Sequence, residues 1–267
     1  MDSILTPGFI ASSRRQPLPP ALRYAGNDPR PVATSLTRND LLAALSRDDA
    51  ERLFAHLDLV TLAADRELFD YGDKLDYAYF PTTAIVSLQF ATRDGGSTEI
   101  AVIGHEGAVG LSLLTGERAS YSAVVQGAGQ AYRIPTSALR AACEWGNALP
   151  QLLLRYANAL LVQVAQHAVS GRRCSIEQKL CRWLLERLDR TPGMALAVTQ
   201  ERIAIDLGVR RESVTAAAGK LQEAGLITYR RGHINAIDRP GLESYAGECY
   251  QATKLELDRL RCDVAQR

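Results

Sequence analysis

Between residues 58 and 135 the apolar residues leave helical spacing. Stretches such as AIVSLQFAT, STEIAVIG, YSAVVQG and GQAYRIP run apolar or alternate, and they are rich in β-branched residues. Gly and Asp punctuate them in YGDK, RDGGS, GHEG and GAG. Short runs of period two, joined by turn residues, leave little room for anything but a small antiparallel barrel or roll. A chain that begins this way must then account for the strong helical periodicity on either side.

Upstream, Leu41, Leu42, Leu45, Leu53, Phe54 and Leu57 recur at helical spacing, and Ser46 before Asp48 and Asp49 reads as a cap with an acidic first turn. Residues 1–35 hold six of the eleven prolines and read as a disordered arm. Downstream, NALPQLLLRYANALLVQVAQHAVSG reads as a long helix that Gly171 interrupts. Leu154, Ala157, Leu161, Val164 and Ala168 follow one another at spacings of 3, 4, 3 and 4, the pattern of a coiled-coil seam. Leu153, Tyr156 and Leu160 make a second stripe. One stripe lying on the roll and the other meeting a second copy is the reading; one wide core-facing stripe is the alternative.

The whole chain carries a net charge of +1 over 267 residues, but residues 171–240 carry +5 and the remainder −4. A basic segment on a mildly acidic body points to a polyanion partner for that segment. Runs of about eighteen apolar residues are absent, so no membrane partner is expected, and the start lacks the pattern of a secretory signal. The five cysteines are scattered and odd in number, which predicts reduced thiols in a cytoplasmic protein. Cys174 and Cys181, seven apart, are placed on one helix face in a packing role. No metal-ligand spacing occurs. No nucleophile–base pair, P-loop or metal motif supports an enzyme; adjacent His105 and Glu106, taken as strand neighbours, point to opposite faces.

The segment from Thr199 to Leu221 carries the functional signal. Thr199 caps one helix, with Arg202 rather than Glu at the third position, so no full capping box is expected. Ile203, Ala204 and Leu207 form its buried side, and Gly208 stops it. A second helix starts near Arg210 and buries Val214, Ala217, Ala218 and Leu221. That is a helix-turn-helix. After Gly225, LITYRRGHINAID reads as a hairpin wing. The second helix then turns Arg211, Glu212, Thr215, Ala216 and Gly219 outward. Arginine pairs with guanine O6 and N7, glutamate accepts from cytosine N4, and small residues let the backbone lie close in a groove. Thr199, Gln200, Arg210, Ser213, Lys220, Arg230, Arg231 and His233 complete the expected DNA-binding set, mostly on phosphates.

TQERIAIDLGVRRESVTAAAGKLQEAGLI resembles the DNA-binding motif of Crp/Fnr-type bacterial transcription regulators. The resemblance covers roughly 40–250. It implies an α+β protein: an antiparallel, jelly-roll-like sensor resembling a cyclic-nucleotide-binding domain (36–145), a dimerisation helix (146–171) and a winged helix-turn-helix with a C-terminal helix (172–267). It implies a homodimer on an inverted repeat of double-stranded DNA, with RNA polymerase as a further partner. Arg211 and Glu212 match the family's base-reading residues, whereas Ala216 stands where the cAMP receptor protein has a further arginine. It also implies an effector segment at Gly107, Ala108, Val109, Gly110, Leu111, Arg118, Ser120, Tyr121 and Ser122, for a cyclic nucleotide or dinucleotide. Ala108 replaces the family's ribose-binding glutamate, and Ser120-Tyr121-Ser122 fills the region of its phosphate arginine, which argues against the usual cAMP mode. A small-molecule-binding module with a vestigial or protein-contacting helix-turn-helix is the alternative function.

Overall fold

A computed structural model describes residues 38–91, 96–146, 148–230 and 232–265. The expected arm at 1–35 lies outside them. The first described helices are α1 (Asp40–Ala43) and α2 (Arg47–Phe54). The Asn39 side chain caps α1 by accepting from Leu42 N, and its amide donates to the carbonyls of Pro81 and Gly107. A fully buried asparagine is tolerated because those contacts satisfy it. Ser46 caps α2 through Asp49 N, as the sequence predicts.

The roll follows as β1 (Asp58–Leu62), β2 (Glu67–Phe69), β3 (Tyr77–Pro81), β4 (Ile85–Ala91), β5 (Ser97–Ile103), a 3-10 turn at Leu111–Leu114, β6 (Ser122–Gly127) and β7 (Gly129–Pro135). It forms two antiparallel sheets, ordered β1-β7-β3 and β2-β6-β4-β5. Between them Leu62, Phe80, Val86, Leu88, Ile103, Val125 and Ile134 are buried. His105 and Glu106 lie in the turn after β5 rather than in a strand, which corrects their expected alternation.

Helix α3 (Thr136–Cys143) leads into α4 (Ala148–Arg173). Helix α4 continues through Gly171, contrary to the expected break. Its last turn is held by Lys179, whose Nζ donates to the Gly171 carbonyl. Leu149, Leu152, Leu153 and Tyr156 pack into the roll core, and Gln163 donates to Val102 O of β5. The opposite stripe faces outward: Leu154 is 70% and Leu161 65% exposed, and Ala168 is exposed. Ala157 is half-buried, and Val164 packs partly on the roll.

The second core begins with α5 (Ile176–Leu188), started by a full capping box between Ser175 and Gln178. It continues through β8 (Ala195–Ala197), α6 (Gln200–Leu207), α7 (Arg211–Glu223), β9 (Ile227–Arg230), β10 (His233–Ala236) and α8 (Arg239–Ala246). Leu180, Trp183, Leu184, Ile203, Val214, Leu221, Ile227 and Leu242 fill it. The final helix, α9 (Glu248–Ala265), packs along α4 and returns Leu260 to the roll core.

Cys174 precedes the Ser175 cap and lies outside α5, so it does not share a helix face with Cys181. It forms a disulfide with Cys249, which corrects the expectation that these thiols are reduced and unpaired. Cys143 and Cys181 are free.

Candidate nucleic-acid interface

Helices α6 and α7 form the predicted helix-turn-helix. The Thr199 side chain accepts from Arg202 N, and Gly208 ends α6 with φ +63°. That left-handed conformation is cheap only for glycine. The same turn rests on the roll, because a Cβ at Gly208 would meet Thr98 Oγ1 of β5 at 3.2 Å. Val214, Ala217, Ala218 and Leu221 are buried against the second core. Arg211, Glu212, Thr215 and Ala216 are exposed on the opposite side. Gly219, on that same face, has open space where a Cβ would point.

Sheet β8-β10-β9 builds the wing beside this face. Tyr229 of β9 donates to the Val198 carbonyl, tying the wing to the start of α6. Between them lies an open cleft of about 490 Å³ lined by Thr199, Gln200, Glu201, Arg211, Tyr229 and Gly232. Thr215 Oγ1 donates to Gln200 Oε1 at 2.7 Å, so the two helices are joined across the cleft's floor. Arg210, Arg230 and His233 are exposed, and Ser213 is half-buried. Lys220 differs from expectation: its Nζ lies 2.5 Å from Glu177 Oε1. That contact pulls the Glu177 carboxyl down to about 2. Arg231 lies outside the described residues.

A set of buried charges that periodicity did not reveal fixes this domain on the roll. Arg187 of α5 reaches Glu99 of β5 at 2.7 Å and Asp206 of α6 at 3.1 Å, and it also donates to Gln126 of β6. Gln126 Nε2 and Trp183 Nε1 both donate to Asp206. Burial first, and the nearby Glu99 second, push the Asp206 carboxyl up to about 6. The Arg187 guanidinium lies 3.7 Å over the Trp183 ring. Arg190 binds Glu106 at 2.6 Å. His105 faces Asp40, which Arg261 of α9 also binds at 2.7 Å. The two residues of the GHEG turn are therefore ties between the parts of the chain. Their signal in the sequence is only that polar residues sit in a turn.

In the roll, Gly107, Ala108, Val109 and Gly110 are buried. The Tyr156 hydroxyl of α4 donates to Ala108 O, and a Cβ at Gly107 would run into that phenol. Val109 pairs its N–H and C=O with Tyr79, and Leu111 opens the 3-10 turn. Arg118 Nη1 donates to the Gly72 carbonyl at an exposed position. Ser122 donates to Asp70 Oδ1, Tyr121 lies beside Phe69, and Ser120 is exposed. Thus the helix bearing the outward apolar stripe touches the expected effector segment directly.

Two family models match the chain: a cyclic nucleotide-binding domain over residues 59–144 and a Crp-like helix-turn-helix domain over residues 178–245. The chain belongs to the Crp/Fnr family of transcription regulators. This family member is a DNA-binding transcription regulator, with a domain of the cyclic-nucleotide-binding type. Its fold is similar to that of FixK2 from Bradyrhizobium japonicum, at 18% identity and TM-score 0.63 over 72% of this chain and 98% of that one. It is similar also to a Crp/Fnr-family regulator from Thermus thermophilus, at 21% identity and TM-score 0.58 over 70% and 97%. A third likeness is to the c-di-GMP-responsive global regulator CLP of Xanthomonas campestris, at 18% identity and TM-score 0.58 over 72% and 100%. No curated protein matches by sequence. Among the described residues no helix is long and apolar enough to cross a membrane, and no group of three His, Cys, Asp or Glu gathers as for a metal.

Proposed function

We propose that this regulator works as a homodimer whose two α7 helices enter successive major grooves of an inverted repeat. The carrying observation is the exposed face of Arg211, Glu212, Thr215 and Ala216 beside the wing cleft. Arg211 and Glu212 supply direct readout. Thr199, Gln200, Arg210, Ser213, Arg230, Arg231 and His233 orient the domain on the duplex, with Lys220 joining them when it leaves Glu177. The outward stripe of Leu154, Leu161 and Ala168 supports the second copy, because two exposed leucines one heptad apart fit a coiled-coil seam. The protein acts by binding rather than catalysis, in the cytoplasm, and its output passes through RNA polymerase.

The domain boundaries at about 36–145, 146–171 and 172–267 are part of the same proposal, with α9 of the third packing against the first two. A nucleotide-like effector would act through Ala108 and Tyr156 on α4, with Arg118 as the available cation. Arg211→Ala tests the main reading: specific binding falls by about 1–3 kcal/mol while binding to unrelated duplex hardly changes. Equal operator affinity in the variant would favour a helix-turn-helix that contacts protein instead.

A further inference from the structure

We infer that Cys174 and Cys249 form a reversible oxidation site that clamps the DNA-binding domain onto its own sensor. The inference rests on the DNA-reading function proposed above. A protein that works on DNA in a reducing compartment does not keep a disulfide as a permanent staple; a disulfide there is characteristically transient and redox-sensing. The two cysteines also differ as a sensing pair should. Cys174 is half-exposed, follows Arg172 and Arg173 directly, and precedes the N-cap of α5. Its exposure lets a small oxidant reach its sulfur first. Cys249 is buried in the first turn of α9.

Cys143 and Cys181 are unsuited to the role. Burial pushes the Cys181 thiol up to about 12, and it raises Cys143 as well. Both stay protonated, and a protonated thiol is a poor nucleophile.

The oxidant is a peroxide. The Cys174 thiolate attacks one peroxide oxygen, the O–O bond breaks, and the departing hydroxide takes a proton from solvent and leaves as water while the sulfur becomes a sulfenic acid. The Cys249 thiol loses its proton and attacks that sulfur. The S–O bond breaks, a second water leaves, and the S–S bond forms. A small dithiol reverses the change by exchange, becoming oxidised as the pair is reduced.

The consequence follows from what the bridge encloses. It closes a loop of 75 residues, which contains α5, the helix-turn-helix, the wing and α8. Both ends of the loop belong to helices that are rooted in the roll. One follows the far end of α4, whose earlier turns pack on the roll; the other is the root of α9, whose far end returns there through Leu260 in the roll core and Arg261 on Asp40. Without the bridge, α9 is held by its packing along α4 and by Arg261 on Asp40. With it, the domain stays in the docked pose, where the reading face of α7 is exposed. Removing the undocked states before DNA arrives lowers the ordering cost of binding.

The test uses the full-length protein, reduced with a small dithiol or oxidised with hydrogen peroxide. Peptide mapping under non-reducing conditions follows the bridge, and fluorescence anisotropy follows binding to the duplex that the protein selects from a randomised pool. Oxidation should join Cys174 to Cys249 and tighten binding by about fivefold or more, in the range of ordinary allosteric couplings. C174S should abolish the response while keeping the reduced affinity; because Cys174 is half-exposed, this variant is the one expected to fold normally. C143S should respond like the parent. Oxidation that joins other cysteines, or affinity that stays equal or weakens on bridging, overturns the clamp. Failure to select any duplex in either state overturns the DNA-reading function itself.

Discussion

Gly219→Ala separates what α7 needs for folding from what it needs for binding. Gly219 follows Ala216, Thr215 and Glu212 by three, four and seven residues, so it shares their outward face. An added Cβ meets nothing within 4 Å and the backbone is helical, so the substitution creates no clash inside the protein. In a helix interior alanine is more favourable than glycine by about 0.8–1 kcal/mol. For a chain of this size, that raises Tm by roughly 2–4 °C. If the bare waist of α7 allows close approach to a groove, the same methyl group obstructs it. Operator affinity should then fall by about tenfold, a loss of about 1.4 kcal/mol. Calorimetry and anisotropy on one preparation measure both quantities. The expected result is a more stable protein that binds less tightly. Affinity that holds or rises together with Tm would refute the argument that glycine is there for the groove.

Three further outcomes follow from the same contacts. Leu161→Arg places a charge in the outward stripe of α4 and should shift sedimentation from dimer to monomer; an unchanged dimer would mean the seam lies elsewhere. Arg187→Met leaves Glu99 and Asp206 buried beside each other with only Arg202 near the latter, so the domain should undock or unfold at a cost of about 3–5 kcal/mol; hydrogen exchange at β5 and α6 would show the loss, and native protection would contradict it. Docking should also strengthen as pH falls. Asp206 is held at about 6 in the docked state, above the ordinary carboxylate value of 3.8, so the docked state takes up a proton as pH drops through 6, and the gain levels off near 4. The groups facing it are Glu99 and Gln126 from the roll, Arg187 and Trp183 from α5, and Arg202 from α6. Exchange protection that falls between pH 7 and pH 5 would contradict it.

The parts of this structure that were legible in the sequence are those written in local chemistry. Period two with glycine punctuation specifies a roll, because alternate side chains must face one interior. Gly208 and the buried spacing of Val214, Ala217, Ala218 and Leu221 specify the helix-turn-helix for similar reasons. Leu154 and Leu161 fall on the outward face that their heptad spacing suggested. What periodicity could not show is which charged residues are buried. Arg182, Glu186 and Arg187 read as the wet side of α5, with Arg190 just beyond its end, yet their partners lie on the same helix, on α4, on β5 and in the turn after β5. Gly171 misled because glycine's cost in a helix is only about 1 kcal/mol, which contacts on neighbouring turns can offset. Cys174 and Cys249 could not be paired from spacing alone, because the fold of α9 back along α4 brings them together.

The central claim is that α7 reads sequence and basic residues around it hold phosphates. The most direct measurement is binding to the selected inverted repeat and to a scrambled duplex of equal length across a salt series. The account predicts that affinity for both falls linearly on logarithmic axes with rising salt, and that the selected duplex stays tighter by about a thousandfold or more. Equal affinity for the two sequences at every salt concentration would contradict it.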